Sequence, residues 1–314
     1  MLAYLIRRVL GTIPTMLLVT LAIFLILRLT PGGPAVAMLG EEASPQSVAA
    51  LQHQLGLDRP LYVQYLDWLR GALHGDLGRS AFGNQPVSQL IVQRIVPTAE
   101  LGFLSMLIAL VVGTTAGILA AVHRNSLIDT ATSVVAILGV STPSFWLAIL
   151  LVLLFAIKLP WLPALGYVSP GQNLGQNLRD MLLPSLTLGS ILAAVVARMT
   201  RASMLDALHQ DFVRTARAKG LPDWRVTLRH ALRNALIPIV TVVGLQLGGV
   251  LSGAVIVESI FSLPGNGQLL VTAIFSRDFP VVQGVVVVIA LLFIAVNLAV
   301  DLLYAVLDPR IRLS

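Results

Sequence analysis

The chain has 314 residues, 56% of them hydrophobic and 11% charged, with a formal net charge of +6. An ordinary soluble domain carries roughly 25% charged residues, so this composition excludes a soluble globular protein and points to an integral membrane protein. No cysteine is present, which excludes disulfides, thiolate metal sites and cysteine nucleophiles.

The first apolar run covers about residues 9–29. Arg7, Arg8 and the Ala35-Val36-Ala37 triplet imitate a signal peptide, but the run is too long for the apolar region of one, so an uncleaved first span is expected. Residues 31–96 then form a loop too long to be a simple connection, which predicts structure of its own. Within it, Leu61, Tyr65, Trp68 and Leu69 recur at helical spacing and predict a helix with one apolar, aromatic face. Further runs at about 99–122, 131–157, 181–200, 235–257 and 281–300 bring the expected spans to six. Each is near the length that crosses about 30 Å of hydrocarbon, and none alternates as a barrel strand would. The fold class expected is therefore an all-α integral membrane protein with six transmembrane helices.

Several features sit inside or beside these runs. Pro143 in the third span predicts a kink, with Ser141, Thr142 and Ser144 either satisfying the freed backbone or facing a water-filled path. Gly113 and Gly117 in the second span, and Gly244, Gly248, Gly249 and Gly253 in the fifth, predict close helix contacts. Residues 261–280 carry Pro264, Gly265 and Gly267 followed by a segment too short to span, which reads as a re-entrant or interfacial helix with Arg277 and Asp278 near the headgroups. Glu258, at the outer end of the fifth span, reads as an interfacial carboxylate in preference to a pathway residue. With the N-terminus inside, inner segments hold 13 of the 21 lysines and arginines and the longer outer segments hold 8. That bias predicts both termini cytoplasmic and accounts for the positive charge without nucleic acid.

The most basic stretch is DFVRTARAKGLPDWRVTLRHALRNALIPIV, residues 211–240. Asp211 suits the start of a helix, Gly220 its stop and Pro222 the start of the next, so the segment reads as helix, tight turn, helix. In the second helix Arg225, Arg229 and Arg233 share one face, with Trp224, Leu228, Ala231 and Leu232 on another. Lipid attraction explains this amphipathic helix, but it leaves the first helix as a knob suited to a socket on another protein.

This stretch resembles the EAA loop of inner-membrane permeases of binding-protein-dependent ABC importers, in their dipeptide, oligopeptide and nickel branch. VRTARAKGL, RHALRNALIP, LGLDRPLYVQY at 55–65, HGDLG at 74–78, LPSLTLG at 183–189 and DLLYAVLDPRIR at 301–312 carry the resemblance along essentially the whole chain. Arg214-Thr215-Ala216 replaces Glu-Ala-Ala, and Gly220 stands 18 positions before Pro238, farther than in the general pattern; both features also mark this branch. Gly33 stands where the branch commonly has Asp.

The resemblance implies three regions: 1–30 with the first helix, 31–96 as an extracytoplasmic loop region, and 97–314 as the transmembrane core with a coupling loop at 201–234. Asp211, Arg214, Thr215, Ala216, Arg217, Ala218, Lys219 and Gly220 would form a coupling helix seated in an ATP-binding subunit. The implied partners are a second permease that completes the pathway, two ATP-binding subunits, an extracytoplasmic substrate-binding protein and membrane lipids, in a bacterial inner membrane. No cofactor is expected in this chain. Its only lysines, Lys158 and Lys219, are followed by Leu159 and Gly220, so no P-loop is present, and ATP with its Mg would belong to the partners.

An ion-driven secondary transporter would show mid-span ionisable residues and internal repeats, and neither is seen. An intramembrane enzyme finds no HExxH or GxSxG, so the chain reads as a non-catalytic subunit. Ser141, Thr142, Ser144, Gln246 and Asn297 are candidate pathway residues, and no metal site is expected. Spans without cysteine, central histidine or mid-span carboxylate favour short peptides as cargo over nickel or another metal chelate, and glutathione stands as an alternative cargo.

Overall fold

The computed structural model describes residues 2–30, 33–39, 44–54 and 56–307. Arg310, Arg312 and the end of the 301–312 motif lie outside these residues, as do Pro31, Gly32 and Leu55. The regular elements are helices: α1 (Leu2–Arg28), α2 (Gly33–Leu39), α3 (Pro45–Gln54), α4 (Leu61–Leu73), α5 (Val87–Ile108), α6 (Thr114–Val122), α7 (Leu127–Ser141), α8 (Ser144–Leu151), α9 (Leu174–Leu208), α10 (Asp211–Ala218), α11 (Asp223–Arg225), α12 (Leu232–Phe261), α13 (Asn266–Phe275) and α14 (Phe279–Leu307). Wider π turns at Ala109–Gly113 and Val226–Ala231 join α5 to α6 and α11 to α12, and a third, Val152–Lys158, extends α8.

Among the described residues five helices are long and apolar enough to cross a membrane: Leu10–Arg28, Val87–Val122, Leu174–Leu208, Asp223–Phe261 and Phe279–Val300. The expected third span is a broken pair, Leu127–Ser141 and Ser144–Lys158, bent by 109°. This is far more than the kink expected of one proline. Proline disfavours helical backbone in the residue before it. Thr142 is accordingly extended at ψ 123°, Pro143 follows at ψ 138°, and α8 starts afresh after it. The Thr142 hydroxyl and N–H both donate to the Leu138 carbonyl, at 2.7 and 2.9 Å, and close α7.

The chain divides into two compact units. One comprises residues up to Val96 together with Pro264–Ala295. Its core joins Leu77, Val87 and Ile91 to Leu269, Ala273, Val281, Val282 and Val285. The aromatic face of α4 is present: the Tyr65 hydroxyl lies 2.9 Å from Thr20 Oγ1, and its ring meets Phe24 edge-on at 5.4 Å. Leu61, expected on that face, stays 44% exposed. The short helix expected after the fifth span is α13. Asp278, expected near headgroups, is instead buried, where it accepts from the Ser80 hydroxyl and from the Ala81 N–H at 3.2 Å. These donors replace water around the carboxylate and allow its burial.

The other unit comprises Pro97–Leu263 and the residues from Val296 onward. Its axis is α9, whose most apolar stretch is 72% buried, against 11% for α1. Glycine makes that centrality possible. A Cβ on Gly113 would stand 2.7 Å from the Ala193 carbonyl oxygen, and one on Gly117 would stand 2.6 Å from that of Ala197. One on Gly253 would meet Leu188 at 2.7 Å. Gly249, by contrast, faces open space. Glu258, expected as an interfacial carboxylate, is carried by α12 fully inside the protein.

Candidate functional site

The basic stretch folds as helix, stop, helix. Gln210 is the extended residue before α10, Asp211 begins that helix, and its side chain accepts from Arg214 at 3.3 Å. The stop is a Schellman motif. Gly220 is left-handed at φ +76°, its N–H donates to the Arg217 carbonyl at 2.9 Å, and the Leu221 N–H reaches back to the Ala216 carbonyl at 3.3 Å. Leu221 packs into the apolar cluster that holds Ala216, the contact that accompanies this motif. Arg217 Nε donates to Asp223 Oδ1 at 3.2 Å and ties the two helices across the turn.

Two faces of α10 are thereby distinguished. Val213 and Ala216 are buried with Ala121 of α6, Met204 and Ala207 of α9, and Val226 and Ala231 beyond the turn. Asp211, Phe212, Arg214, Thr215, Arg217, Ala218, Lys219 and Gly220 are exposed. Ala216 therefore belongs to the chain's own core and is unavailable to a partner. Its small side chain serves the packing of α10 beneath α9, and the free small residue on this helix is Ala218.

The face expected for the second helix also changes. Ala231 is buried with Val226 and Thr227, while Trp224 and Leu228 are 62% and 52% exposed. The π turn over Val226–Ala231 shifts the angular spacing that a regular helix would give. Trp224 lies under the Arg225 guanidinium at 5.1 Å, an amphipathic pair suited to a headgroup layer.

A feature that sequence reasoning missed joins the start of α7 to α9. Asp129, buried in the first turn of α7, accepts from Arg201 Nε, from the second Arg201 donor at 2.8 Å and from the Asn125 N–H at 3.0 Å. Ser126 caps α7 by accepting from the Asp129 N–H at 3.3 Å. The Ser-x-x-Asp spacing signals such a cap, but nothing local signals an arginine 72 residues away. A second link joins Arg124 to His209 Nε2 at 3.4 Å, with His209 Nδ1 on the Leu205 carbonyl. The 123–129 segment is thus tied twice to the last turns of α9.

The pathway candidates do not converge on one feature. Thr142 lines a cavity of about 590 Å³ among α5, α6, α7, α8 and α9, whose other hydroxyls are Thr132 and Ser190 and whose remaining wall is mostly Ala, Val and Leu. Ser141 and Ser144 are outside that lining, Ser141 exposed and Ser144 half-buried. Gln246 and Asn297 are half-buried on α12 and α14 and also lie outside it. Beyond the spans, burial and a 2.9 Å bond to Glu100 push the Tyr167 phenol up, so it holds its proton as the donor that fixes residues 159–173.

Comparison with known proteins gives a consistent result. Residues 113–313 match the family "Binding-protein-dependent transport system inner membrane component", and residues 1–102 match the N-terminal family of the same membrane components. The glutathione transport system permease protein GsiC of Escherichia coli O6:H1 (strain CFT073) is 45% identical over 312 residues, covering 99% of each chain. A putative peptide transport system permease of Brucella abortus (strain 2308) shows the same identity and coverage. Among solved structures, the MetNI methionine ABC transporter superposes with a TM-score of 0.57 at 19% identity, covering 70% of this chain and 97% of that one. An amino acid ABC transporter with histidines gives 0.52 at 17%, covering 69% and 94%. These two likenesses show a shared fold. A chain of apolar helices with an exposed, basic, glycine-stopped helix between its long spans, matched over nearly its whole length, belongs to the family of binding-protein-dependent transport system inner membrane components.

Proposed function

We propose that this chain is one of two permease subunits of an ATP-driven importer of short peptides, with both termini cytoplasmic. The observation that carries the reading is the division of α10 into a buried face and an exposed one bearing Arg214, Thr215, Arg217, Ala218 and Lys219. Two ATP-binding subunits closing on ATP would grip this helix and its counterpart in the second permease. The spans would then tilt so that cargo from an extracytoplasmic binding protein enters. ATP and Mg belong to those partners, and this chain performs no chemistry.

Short peptides as cargo are supported by the relatives named for peptide and glutathione transport, glutathione being itself a tripeptide. The hydroxyl oxygens of Thr132, Thr142 and Ser190 can accept from peptide N–H groups, the last two while donating to Leu138 and Leu186, and a metal would want imidazole or carboxylate instead. Disrupting the gene in a strain without redundant importers should confer resistance to a toxic di- or tripeptide analogue. Unchanged peptide uptake with loss of a nickel-dependent enzyme activity, restored by excess nickel, would assign a metal chelate instead. The orientation is tested by single cysteines in this cysteine-free chain. One near residue 70 should label from outside and one at residue 217 should not, and the reverse pattern would overturn the topology.

A further inference from the structure

We infer that Asp129 and Arg201 are positioning residues that bind α7 to the end of α9 leading into the coupling helix, so that a push on α10 moves the wall of the 590 Å³ cavity. The inference rests on the coupling role proposed for α10 and adds the route by which its motion travels.

The argument begins with packing. Val213 and Ala216 hold α10 against the ends of α6 and α9 and against the segment beyond the turn, through one apolar cluster. That cluster contains nothing from α7. Yet α7 supplies Thr132, Val135, Ala136, Leu138 and Gly139 to the cavity lining. It is also severed from α8 by the 109° break, so the remainder of the third span cannot steer it. Its first turn follows the loop that Arg124 ties to His209, two residues before α10, and there the connection is polar. Asp129 is 5% exposed and takes two parallel bonds from one guanidinium, a geometry that fixes both distance and orientation. The Asn125 N–H occupies the same carboxylate, so the loop is held along with the helix. Arg201 lies seven residues before the end of α9, about 10 Å along the axis, on the stretch that leads directly into α10. Higher up, α7 meets α9 through small side chains, as at Gly139, where a Cβ would come within 2.9 Å of the Ala194 Cβ. Such a contact sets a close approach but carries no directional bond. The ion pair is the directional fastening between them.

The test uses the assembled complex with its ATP-binding subunits. Spin labels go on cysteines at position 134, which is 49% exposed and outside the cavity lining, and at the exposed position 210, the residue just before α10. In the wild-type background the distance between them should be the same narrow distribution without nucleotide and with ATP under conditions that block hydrolysis, because the two helices travel together. With Asp129→Asn that distribution should broaden or shift on adding ATP. Peptide uptake should fall about tenfold while binding-protein-stimulated ATP hydrolysis persists, a loss within the usual range of a coupling free energy. Arg201→Lys keeps the charge but loses the paired geometry. It should give the same defect in milder form, and it carries the test if Asp129→Asn fails to insert. A wild-type distance that changes with ATP, or variants that transport with normal yield per ATP, would overturn the inference. Separately, a cysteine at 218 that cannot be cross-linked to an ATP-binding subunit in the wild-type background would overturn the coupling role of α10 itself.

Discussion

Replacing Gly220 isolates the stop of α10 from packing within this chain. The residue sits at φ +76°, and a Cβ there would meet nothing within 4 Å. Gly220→Ala therefore changes one quantity, the cost of left-handed backbone for a residue with a Cβ, about 1–2 kcal/mol. That cost corresponds to a factor of roughly 5–30 in the population of the formed Schellman turn. Gly220→Asn should cost less, because a short amide tolerates this conformation, and Gly220→Val more, because a β-branched side chain resists it. Peptide-stimulated ATP hydrolysis by the reconstituted complex should fall in the order Gly, Asn, Ala, Val, with membrane insertion unchanged across the series. The reasoning is refuted if Val couples as well as Asn, or if the order follows side-chain volume with Ala better than Asn.

Ala216→Trp should lower the yield of folded protein, since it forces an indole into a site that is 6% exposed beside Met204 and Val226, at a cost of about 1–3 kcal/mol or more. Ala218→Trp should insert normally yet abolish stimulated ATP hydrolysis, and recovery of both by detergent extraction and activity assay distinguishes them. Gly117→Val should destabilise the helix pair by at least about 1–3 kcal/mol through its clash with the Ala197 carbonyl; an unchanged melting temperature in detergent would contradict the close approach of α6 and α9.

The long helices were legible because hydrocarbon thickness writes itself into the length of an apolar run. Even the break at Pro143 left a sign, although its size depended on Thr142 adopting extended backbone as well, which the proline rule implied and the expected single kink understated. The helix, glycine stop and second helix at 211–240 were legible from local chemistry alone. Which face of α10 points inward was not, since Ala216 and Ala218 are identical as residues and differ only in what α9 and the Val226 turn place beside them. The same holds for Asp278 and Glu258, whose burial is decided by distant partners and packing. The Asp129 and Arg201 pair is beyond any reading of one sequence, because its two halves meet only through the packing of α7 on α9.

The wide turn at Val226–Ala231 has a further effect on the arginines around it. In a regular helix, four residues overshoot a full turn by about 40°, so Arg225, Arg229 and Arg233 would spiral round the cylinder. A turn that holds more residues takes up much of that overshoot, and three exposed guanidiniums are drawn toward a single straight edge. On the topology proposed above, that edge would lie along a layer of phosphates as a keel, opposing roll of the Asp223–Phe261 helix about its own axis, so that torque delivered at its foot would emerge as tilt.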